Sequence, residues 1–287
     1  LNFKNNIYLA TISRVEPSLQ AAFVNFGRER HGFLAFNDIQ SDYYQLPSED
    51  KEKIRIAEEK IREELKDKTL ESNQDNSSSD SQLDNKDIKD EKNDDGEGEI
   101  TKESKKQEYR EKVKSSFGIK RYKIQEVIKP GQVILIQVIK EERGQKGAAL
   151  TTFISLAGKY MVLMPNTPKG GGISRKIFNS SDRQKIRNIL NEIEIPKSMG
   201  VIVRTAGANK TKNEIEKDFQ NTLKTWEEIK EKALDSNAPS LVYEEGDIIK
   251  RTLRDTYDND TKNVYIEGNE AYQKAKKFMK ELMPKNV

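Results

Sequence analysis

The sequence predicts an α+β protein of more than one domain: a small five-stranded β-barrel with a long charged insertion, followed by an α/β part. Three observations predict this class. Five short strand patterns lie within residues 1–152, a highly charged stretch separates the third from the fourth, and helical repeats alternate with further strands after residue 153. Five strands with one long connection between the third and the fourth are typical of the OB-fold, a barrel used for binding oligonucleotides.

The composition is consistent with a folded chain that carries a large solvated segment. Of the 287 residues, 34% are apolar and 34% are charged, and the formal net charge is +3. A net charge this close to zero does not by itself indicate a nucleic-acid partner. The lack of cysteine excludes disulfides and thiolate metal sites in this sequence. No apolar run reaches the roughly 18 residues of a membrane-spanning helix, and no signal peptide is visible. Both ends look cut, so we expect a fragment.

The first three strands are predicted over 7–15, 21–26 and 30–35, with a turn at Pro17 after the first. Successive side chains of a strand point to opposite faces of the sheet. One face therefore gathers the apolar side chains that can fill a core, namely Ala22, Val24, Phe26 and Leu34.

Two phenylalanines lie on the opposite face of these strands. Phe23 shares that face with Asn25, and Phe33 shares it with His31. A half-polar face with two rings suits single-stranded nucleic acid, because bases stack on exposed rings while Lys146, at the entry to the last strand, attracts the backbone. A second core layer against the following domain explains the same pattern, and both interpretations stay open on the pattern alone.

The insertion is predicted over about 48–120. Apolar residues recur at helical spacing over 54–65, which predicts a helix. The stretch 71–99 then holds 11 acidic and 3 basic residues, and too little apolar surface to offset the entropy of the chain, so we predict that about 71–99 is disordered. Strand patterns resume at Val133 and complete the barrel by residue 152.

The part after residue 153 has an α/β pattern. Strands are predicted over 160–164 and 201–204, separated by a Pro/Gly loop and by a helix that starts at a capping box of Ser181 and Gln184. A second capping box, Thr211 with Glu214, precedes a long helix. Its predicted buried stripe consists of Ile215, Phe219, Leu223 and Trp226.

The last fifty residues continue this pattern. Strands are predicted over 241–243 and 264–266, and a final helix is predicted around an apolar stripe of Ala271, Ala275, Phe278 and Met279.

Two segments of this second part predict a phosphate pocket. Three glycines at 170–172 precede Arg175, and Arg204 with Thr205 follows a strand. Backbone N–H groups, guanidinium forks and hydroxyls are the groups that hold phosphate oxygens. A flexible hairpin loop with a surface arginine is the alternative, since a Gly-rich loop alone is weak evidence.

The sequence has no recognisable hydrolytic site. No pair of acids has a spacing that argues for hydrolysis, and there is no Walker loop or nucleophile elbow. His31 is the only histidine, and one histidine without cysteine cannot form a structural zinc site of the usual kind. We therefore expect a chain that binds RNA and recognises a terminal phosphate of the RNA, with the residues that catalyse cleavage located elsewhere.

Three long strings of the sequence resemble the ribonuclease E/G family. They are NIYLATISRVEPSLQAAFVNFGRERHGFLAF, KEERGQKGAALTTFISLAGKYMVLMPNTPKGGGISRK and MGVIVRTAG. The resemblance covers nearly the whole chain except about 50–120. That insertion, with the flanking strings YYQLP and RYKIQEVIK, is most similar to the alphaproteobacterial branch of ribonuclease E.

The resemblance implies an order of domains and a set of site residues. It implies an S1-motif OB-fold over 1–152, a 5′-sensor domain over 153–249, and the truncated start of an RNase-H-like segment over 250–287. It also implies that the RNA-binding residues of the barrel are Phe23, Phe33 and Lys146. The residues that it implies for the 5′-phosphate sensor are Gly158, Val162, Arg175, Arg204 and Thr205.

The resemblance further implies a parent enzyme, a bacterial endoribonuclease that hydrolyses single-stranded RNA in RNA processing and mRNA decay and prefers a 5′-monophosphate end. Its catalytic Mg²⁺ and its Zn²⁺ are held in later domains, so we expect no catalytic residue, metal or cofactor in this fragment. Implied partners of the full-length protein are single-stranded RNA, further copies in a homotetramer, and RNA degradosome proteins. The implied location is the cytoplasm, with peripheral attachment to the inner membrane. A stand-alone OB-fold adaptor that binds RNA without cutting it is the alternative.

Overall fold

The computed structural model describes residues 3–57, 122–144, 146–167, 172–245, 248–257 and 260–282. The chain divides into two compact units, Leu1–Gln45 with Ile124–Val287, and Leu46–Lys123. In the second unit, a helical segment covers 48–57, and the Tyr122 hydroxyl contacts Asp50 Oδ2 at 3.3 Å. The stretch 71–99, for which disorder was predicted, lies outside the described residues, as do Gly170 and Gly171.

The first unit begins with the predicted five-stranded barrel. Its strands pair in the order β1–β2–β3–β5–β4, and an antiparallel β1–β4 pairing closes the cylinder, while only β3 and β5 run parallel. This closed five-stranded barrel confirms the OB-type prediction. The strands are β1 (Ile7–Glu16), β2 (Ala21–Asn25), β3 (Gly32–Ala35), β4 (Val133–Lys140) and β5 (Ala149–Thr151).

The strand alternation read from the sequence gives the correct barrel core. Ala22, Val24 and Leu34 are fully buried, and Phe26 is 1% exposed. A 3₁₀ turn at Pro17–Leu19 joins β1 to β2. The long connection from β3 to β4 begins with 3₁₀ turns at Phe36–Asp38 and Ser41–Tyr43 and ends with the one-turn helix α1 at Ile124–Val127.

A second, four-stranded sheet follows the barrel and has the order β6–β7–β9–β8. Its strands are β6 (Leu156–Ala157), β7 (Met161–Met164), β8 (Gly172–Ile173) and β9 (Gly200–Val203), with the helices α2 (Ser180–Glu192) and α3 (Lys212–Leu234). The Thr211–Glu214 capping box is present at the start of α3, as predicted. The predicted capping box of α2 is wrong, because the Asn179 side chain, one residue before the helix, accepts from Ser181 N and caps the helix instead.

One hydrophobic core joins the second sheet to the outer side of the barrel. Ile7 of β1 packs in the same cluster as Met161, Leu163, Phe219 and Trp226. The predicted stripe of α3 therefore faces this core, with Ile215 fully buried and Leu223 partly buried at its edge. Such a shared core fixes the second sheet against the barrel, so both carry their functional side chains on one compact unit.

The last part of the chain returns to the barrel. Strand β10 (Ser240–Tyr243) pairs antiparallel with β1 and adds a sixth strand to that sheet. The helices α4 (Ile248–Thr256) and α5 (Asn269–Leu282) follow and pack through Leu253, Ala275 and Met279.

The strand predicted over 264–266 is wrong: the backbone there is irregular and Tyr265 is 91% exposed, because no strand of the described chain pairs with it. Among the described residues, no helix is long and apolar enough to cross a membrane.

Candidate nucleic-acid interface

The open face of the barrel carries a row of side chains that we call the stacking platform: Arg14, Phe23 and Phe33. These residues occupy directly paired positions on β1, β2 and β3. The two rings meet edge to face, with centroids 6.1 Å apart and planes at 75°. Both phenylalanines are half-buried, whereas Phe26, directly after β2, is 1% exposed. The structure thus brings the two sequence-predicted rings together on the outside of the core.

Arg14 is the member of the platform that sequence reasoning missed. Its guanidinium carbon lies 4.6 Å from the centroid of the Phe23 ring, and the residue is exposed. The β1–β2 register shifts between Ile12 and Arg14, so simple alternation along β1 does not predict which side chain faces Phe23. The contact is a cation–π stack with one face of the guanidinium plane.

Lys146 lies in the β4–β5 turn, beside the end of the platform. It is exposed, and its backbone forms an isolated bridge with Arg143. The turn is held close to β3, because Phe33 N donates to Ala148 O at 2.7 Å and a Cβ at Gly147 would lie 2.2 Å from His31 O. His31 itself is exposed at the start of β3. The structure therefore places Lys146 in a turn whose backbone contacts the start of β3, the strand that carries Phe33, and both Lys146 and His31 are exposed there.

Arg204 is the centre of the second site, which we call the arginine pocket. It follows β9, and its backbone N donates to Tyr160 O at 2.7 Å. One side-chain nitrogen, Nη1, donates to Gly158 O at 2.9 Å, to Asp255 Oδ1 at 2.9 Å and, more weakly, to Lys159 O at 3.4 Å. Within the part of the chain that the structure describes, Nε and Nη2 have no partner. The guanidinium is thus anchored by one nitrogen and presents a two-nitrogen edge.

Asp255 on α4 holds the anchored side of this guanidinium. The same carboxylate accepts from Arg254 Nε at 3.0 Å, and Arg254 Nη1 pairs with the buried Glu245 at 2.7 Å. Partial burial alone would raise the pKa of Asp255, but the hydrogen bonds from Arg254 and Arg204 outweigh it and lower that pKa. Sequence reasoning missed Asp255, because its partner Arg204 is 51 residues away in the chain.

Asp218 on α3 shapes the loop that supplies Gly158. Its buried carboxylate accepts from the backbone N of Lys159 at 2.9 Å, of Tyr160 at 2.8 Å and of Met161 at 3.1 Å. A Cβ at Gly158 would lie 2.5 Å from Asp218 Oδ2, so the loop fits against this carboxylate only with glycine. Burial raises the pKa of Asp218, although the three N–H groups and Arg204 act in the opposite direction. Asp218 was not among the sequence-predicted residues.

The remaining predicted sensor residues surround the same end of the second sheet. Ser174 N donates to Val203 O at 2.9 Å, which places Arg175 beside the residues that follow β9. Arg175 and Thr205 are exposed, and Val162 is half-buried opposite Ile202 on the open face of the sheet. The structure therefore joins Gly158, Arg204 and Thr205 directly, with Arg175 and Val162 at the margin.

The described residues do not fit a metal ion. Among them, no group of three or more His, Cys, Asp or Glu side chains could hold one. The assignment of Mg²⁺ and Zn²⁺ to other parts of a longer protein stays a prediction.

The fold and its two candidate sites define a class: an OB-type barrel with two phenylalanine rings on its open face, joined to an α/β sheet that carries the arginine pocket. Residues 155–287 match the profile of the Ribonuclease E/G family. The chain is 34% identical to Ribonuclease E of Haemophilus influenzae over 281 residues, which are 98% of this chain and 23% of that protein. It is 34% identical to Ribonuclease E of Escherichia coli over 276 residues, 96% of this chain and 20% of that protein.

Ribonuclease E of Synechocystis sp. is 38% identical over 144 residues, 50% of this chain and 21% of that protein. The similarity to the Haemophilus influenzae and Escherichia coli proteins extends over nearly the whole sequence, and the chain therefore belongs to the ribonuclease E/G family. The chain spans about a quarter of the length of the first of these relatives and a fifth of the others.

Proposed function

We propose that this chain binds single-stranded RNA on the stacking platform and recognises a 5′-terminal phosphate in the arginine pocket, as part of an endoribonuclease that acts in RNA processing and mRNA decay. One observation carries the proposal: Arg204 is anchored through Nη1, and the described chain leaves Nε and Nη2 without partners. That edge has the geometry of the guanidinium fork, which binds two oxygens of one carboxylate or phosphate.

The stacking platform supports the RNA part of the proposal. Both rings contact each other edge to face and are half-buried, so part of each ring stays accessible to solvent. Base–aromatic stacking contributes about 1–3 kcal/mol per base and tolerates any sequence. Arg14 adds a cation to the same row, and Lys146 adds another at its edge, so both rings and backbone phosphates would find partners.

The arginine pocket supports the recognition of a terminal phosphate. A 5′-monophosphate offers three oxygens, of which two can accept from the Arg204 edge and one from the exposed Thr205 hydroxyl. A 5′-hydroxyl end lacks these acceptors. A triphosphate is bulkier than a pocket shaped for a single phosphoryl group, so we expect the order monophosphate, then triphosphate or hydroxyl.

The cleavage step is proposed to lie outside this chain. The relatives are named Ribonuclease E, yet the described residues contain no acidic cluster that could hold the metal ion of such a hydrolase. In this proposal the chain supplies binding and 5′-end selection, whereas catalysis, the homo-oligomer and the degradosome contacts belong to the remainder of a longer protein.

The proposal is tested with three RNAs of one sequence that differ only at the 5′ end. We expect the chain to bind the monophosphate form more tightly than the hydroxyl and triphosphate forms at one fixed salt concentration, since salt alone changes such affinities strongly. Binding of all three forms with equal affinity would refute the sensor, and no measurable binding to any of them would refute the RNA function.

Arg14→Ala is expected to weaken the binding of single-stranded RNA by about twofold to fivefold, in line with the up to ~1 kcal/mol of an exposed ion pair, here one with a backbone phosphate. The slope of log affinity against log salt should fall by about 0.7. Fluorescence anisotropy at several salt concentrations measures both quantities.

Arg28→Ala is the matched control, because Arg28 stacks on Phe3, 4.0 Å from the ring centroid, and Phe3 belongs to the core side. Equal losses for both variants would mean that any arginine on this barrel contributes to binding and that the Arg14 stack has no special role.

Gly158→Ala is expected to destabilise the fold by about 1–3 kcal/mol, the usual cost of overpacking, and to remove the preference for a 5′-monophosphate. The added Cβ would meet Asp218 Oδ2 at 2.5 Å, and that oxygen cannot retreat without losing its bonds to Tyr160 N and Met161 N. Urea unfolding and RNA affinity measure the two effects. Gly172→Ala is the control for stability, since a Cβ there has only an ordinary 3.7 Å contact with Ile202; a similar loss of stability from both changes would contradict the prediction.

A further inference from the structure

A cavity of about 560 Å³ lies away from both sites, between α3, β10 and the two last helices. Its volume lies within the range of about 300–1,000 Å³ that is usual for sites of small ligands. It shares no lining residue with the stacking platform or the arginine pocket. Its lining consists of Thr225, Glu228, Ile229, Lys232, Val242, Tyr243, Glu244, Lys250, Lys274, Lys277 and Phe278.

Three helices direct lysines into this cavity. Lys232 comes from α3, Lys250 from α4, and Lys274 with Lys277 from α5. Lys274 pairs with Glu270 outside the cavity at 2.8 Å, but the described chain contains no ion pair for Lys232, Lys250 or Lys277. Two glutamates also line the cavity, and one of them, Glu228, lies 4.0 Å from Lys224 outside it. The lining is therefore net positive.

The helix dipole does not explain why all of these lysines lie at the cavity. Lys232 lies in the last turn of α3, where a cation is favoured by the helix dipole. Lys250 lies in the first turn of α4, where the dipole disfavours a cation, and that turn contains no acidic residue. A cation in an unfavourable place that converges with other unpaired cations is expected where an anion binds.

Besides the lysines, the cavity has an apolar and aromatic wall. Phe278 lies under Lys250, whose Nζ is 5.9 Å from the ring centroid, and Val242 and Ile229 are buried beside it. Tyr243 supplies a phenol that is protonated at neutral pH and can donate; burial raises its pKa further, to about 12. An apolar and aromatic wall beside several ammonium groups is complementary to a base or sugar that carries a phosphate.

We propose that this cavity, formed by Lys232, Lys250, Lys277, Tyr243 and Phe278, binds a nucleoside phosphate, either as a free nucleotide or as one unit of an RNA strand. The lysines hold the phosphate and Phe278 contacts the nucleoside. In its RNA form the inference rests on the proposed function and adds a second contact point for a long strand; as a free-nucleotide site it is independent of that function.

The test is the double variant Lys250→Gln with Lys277→Gln, and its matched control is Lys185→Gln with Lys197→Gln, two exposed lysines outside the cavity. One arm measures the binding of AMP and ADP by calorimetry. The other measures 5′-hydroxyl oligouridylates of about 4 and about 20 nucleotides by anisotropy, so that the arginine pocket does not contribute. Circular dichroism checks that both double variants stay folded.

A free-nucleotide site predicts that the cavity variant loses about tenfold or more in AMP or ADP affinity while the control variant does not. An RNA site predicts an unchanged affinity for the short oligomer, a weaker affinity for the long one, and a salt slope lower by about 1.4 for two lost lysine contacts. If the cavity and control variants behave alike in both arms, the inference is wrong. If the wild type does not bind either oligomer, the proposed RNA function fails, whereas the nucleotide arm still decides on the cavity.

Discussion

Arg204→Gln is expected to abolish the preference for 5′-monophosphate RNA over 5′-hydroxyl RNA and to leave the affinity for the hydroxyl form nearly unchanged. A hydrogen bond to a charged group contributes about 1.5–3 kcal/mol, so the affinity for the monophosphate form should fall by roughly tenfold to a hundredfold. The reason is specific to this residue: its guanidinium is anchored through Nη1 and offers Nε and Nη2 as two parallel donors.

The fold is expected to tolerate this change. Asp255 keeps its hydrogen bonds from Arg254 at 3.0 and 3.4 Å, so it is not left as a buried unpaired charge. Loss of affinity is therefore separable from loss of structure.

The measurement is the ratio of two affinities, for monophosphate and for hydroxyl RNA, at one salt concentration. Arg187→Gln on α2 is the control, because Arg187 is bonded to Gln184 on its own helix and lies outside the pocket. An equal loss on both RNAs in Arg204→Gln would show that this arginine contacts the backbone generally, and the sensor assignment would then be wrong.

The barrel could be predicted from the sequence because its determinants are local. Alternation with a period of two is visible in five short stretches, and it correctly separates buried Val24 and Phe26 from half-buried Phe23. The Thr211–Glu214 capping box is likewise confined to four residues of sequence. The prediction of a strand over 264–266 was wrong because a strand needs a second strand to pair with, and the local sequence does not show whether one is near.

The site residues that were missed all depend on contacts between distant segments. Arg14 faces Phe23 because the β1–β2 pairing slips by one residue, which alternation along a single strand cannot show. Asp255 lies 51 residues after Arg204, whose Nη1 it holds, and Asp218 lies 57 to 59 residues after the three backbone N–H groups that donate to it. A lone aspartate on a charged helix gives no local signal of such a role. Arg204 itself was predicted because it follows an apolar strand and precedes a hydroxyl, and because the resemblance to the ribonuclease E/G family implies it.

Replacing both platform rings, in the variant Phe23→Ala with Phe33→Ala, is expected to give the largest loss of RNA affinity. Each ring can stack one base at about 1–3 kcal/mol, so the double variant should bind single-stranded RNA by roughly two to six kcal/mol less tightly, whatever the 5′ end carries. Arg204→Gln should lower only the affinity for monophosphate RNA. The two sites are therefore distinguished by the same pair of RNAs.

The sheet itself supplies the control for this prediction. Phe26 lies on the opposite face of the same region, 1% exposed and in edge contact with Tyr8 at 5.2 Å. Phe26→Ala should destabilise the barrel by about 3–5 kcal/mol, as for other buried phenylalanines, whereas the platform variant should lose little beyond the roughly 0.5–1.5 kcal/mol of its edge-to-face pair. Urea unfolding of both variants, set against their RNA affinities at a temperature where each is folded, measures the contrast. If the platform variant unfolds as readily as Phe26→Ala, the two rings belong to the core, and the open-face interpretation of β2 and β3 is wrong.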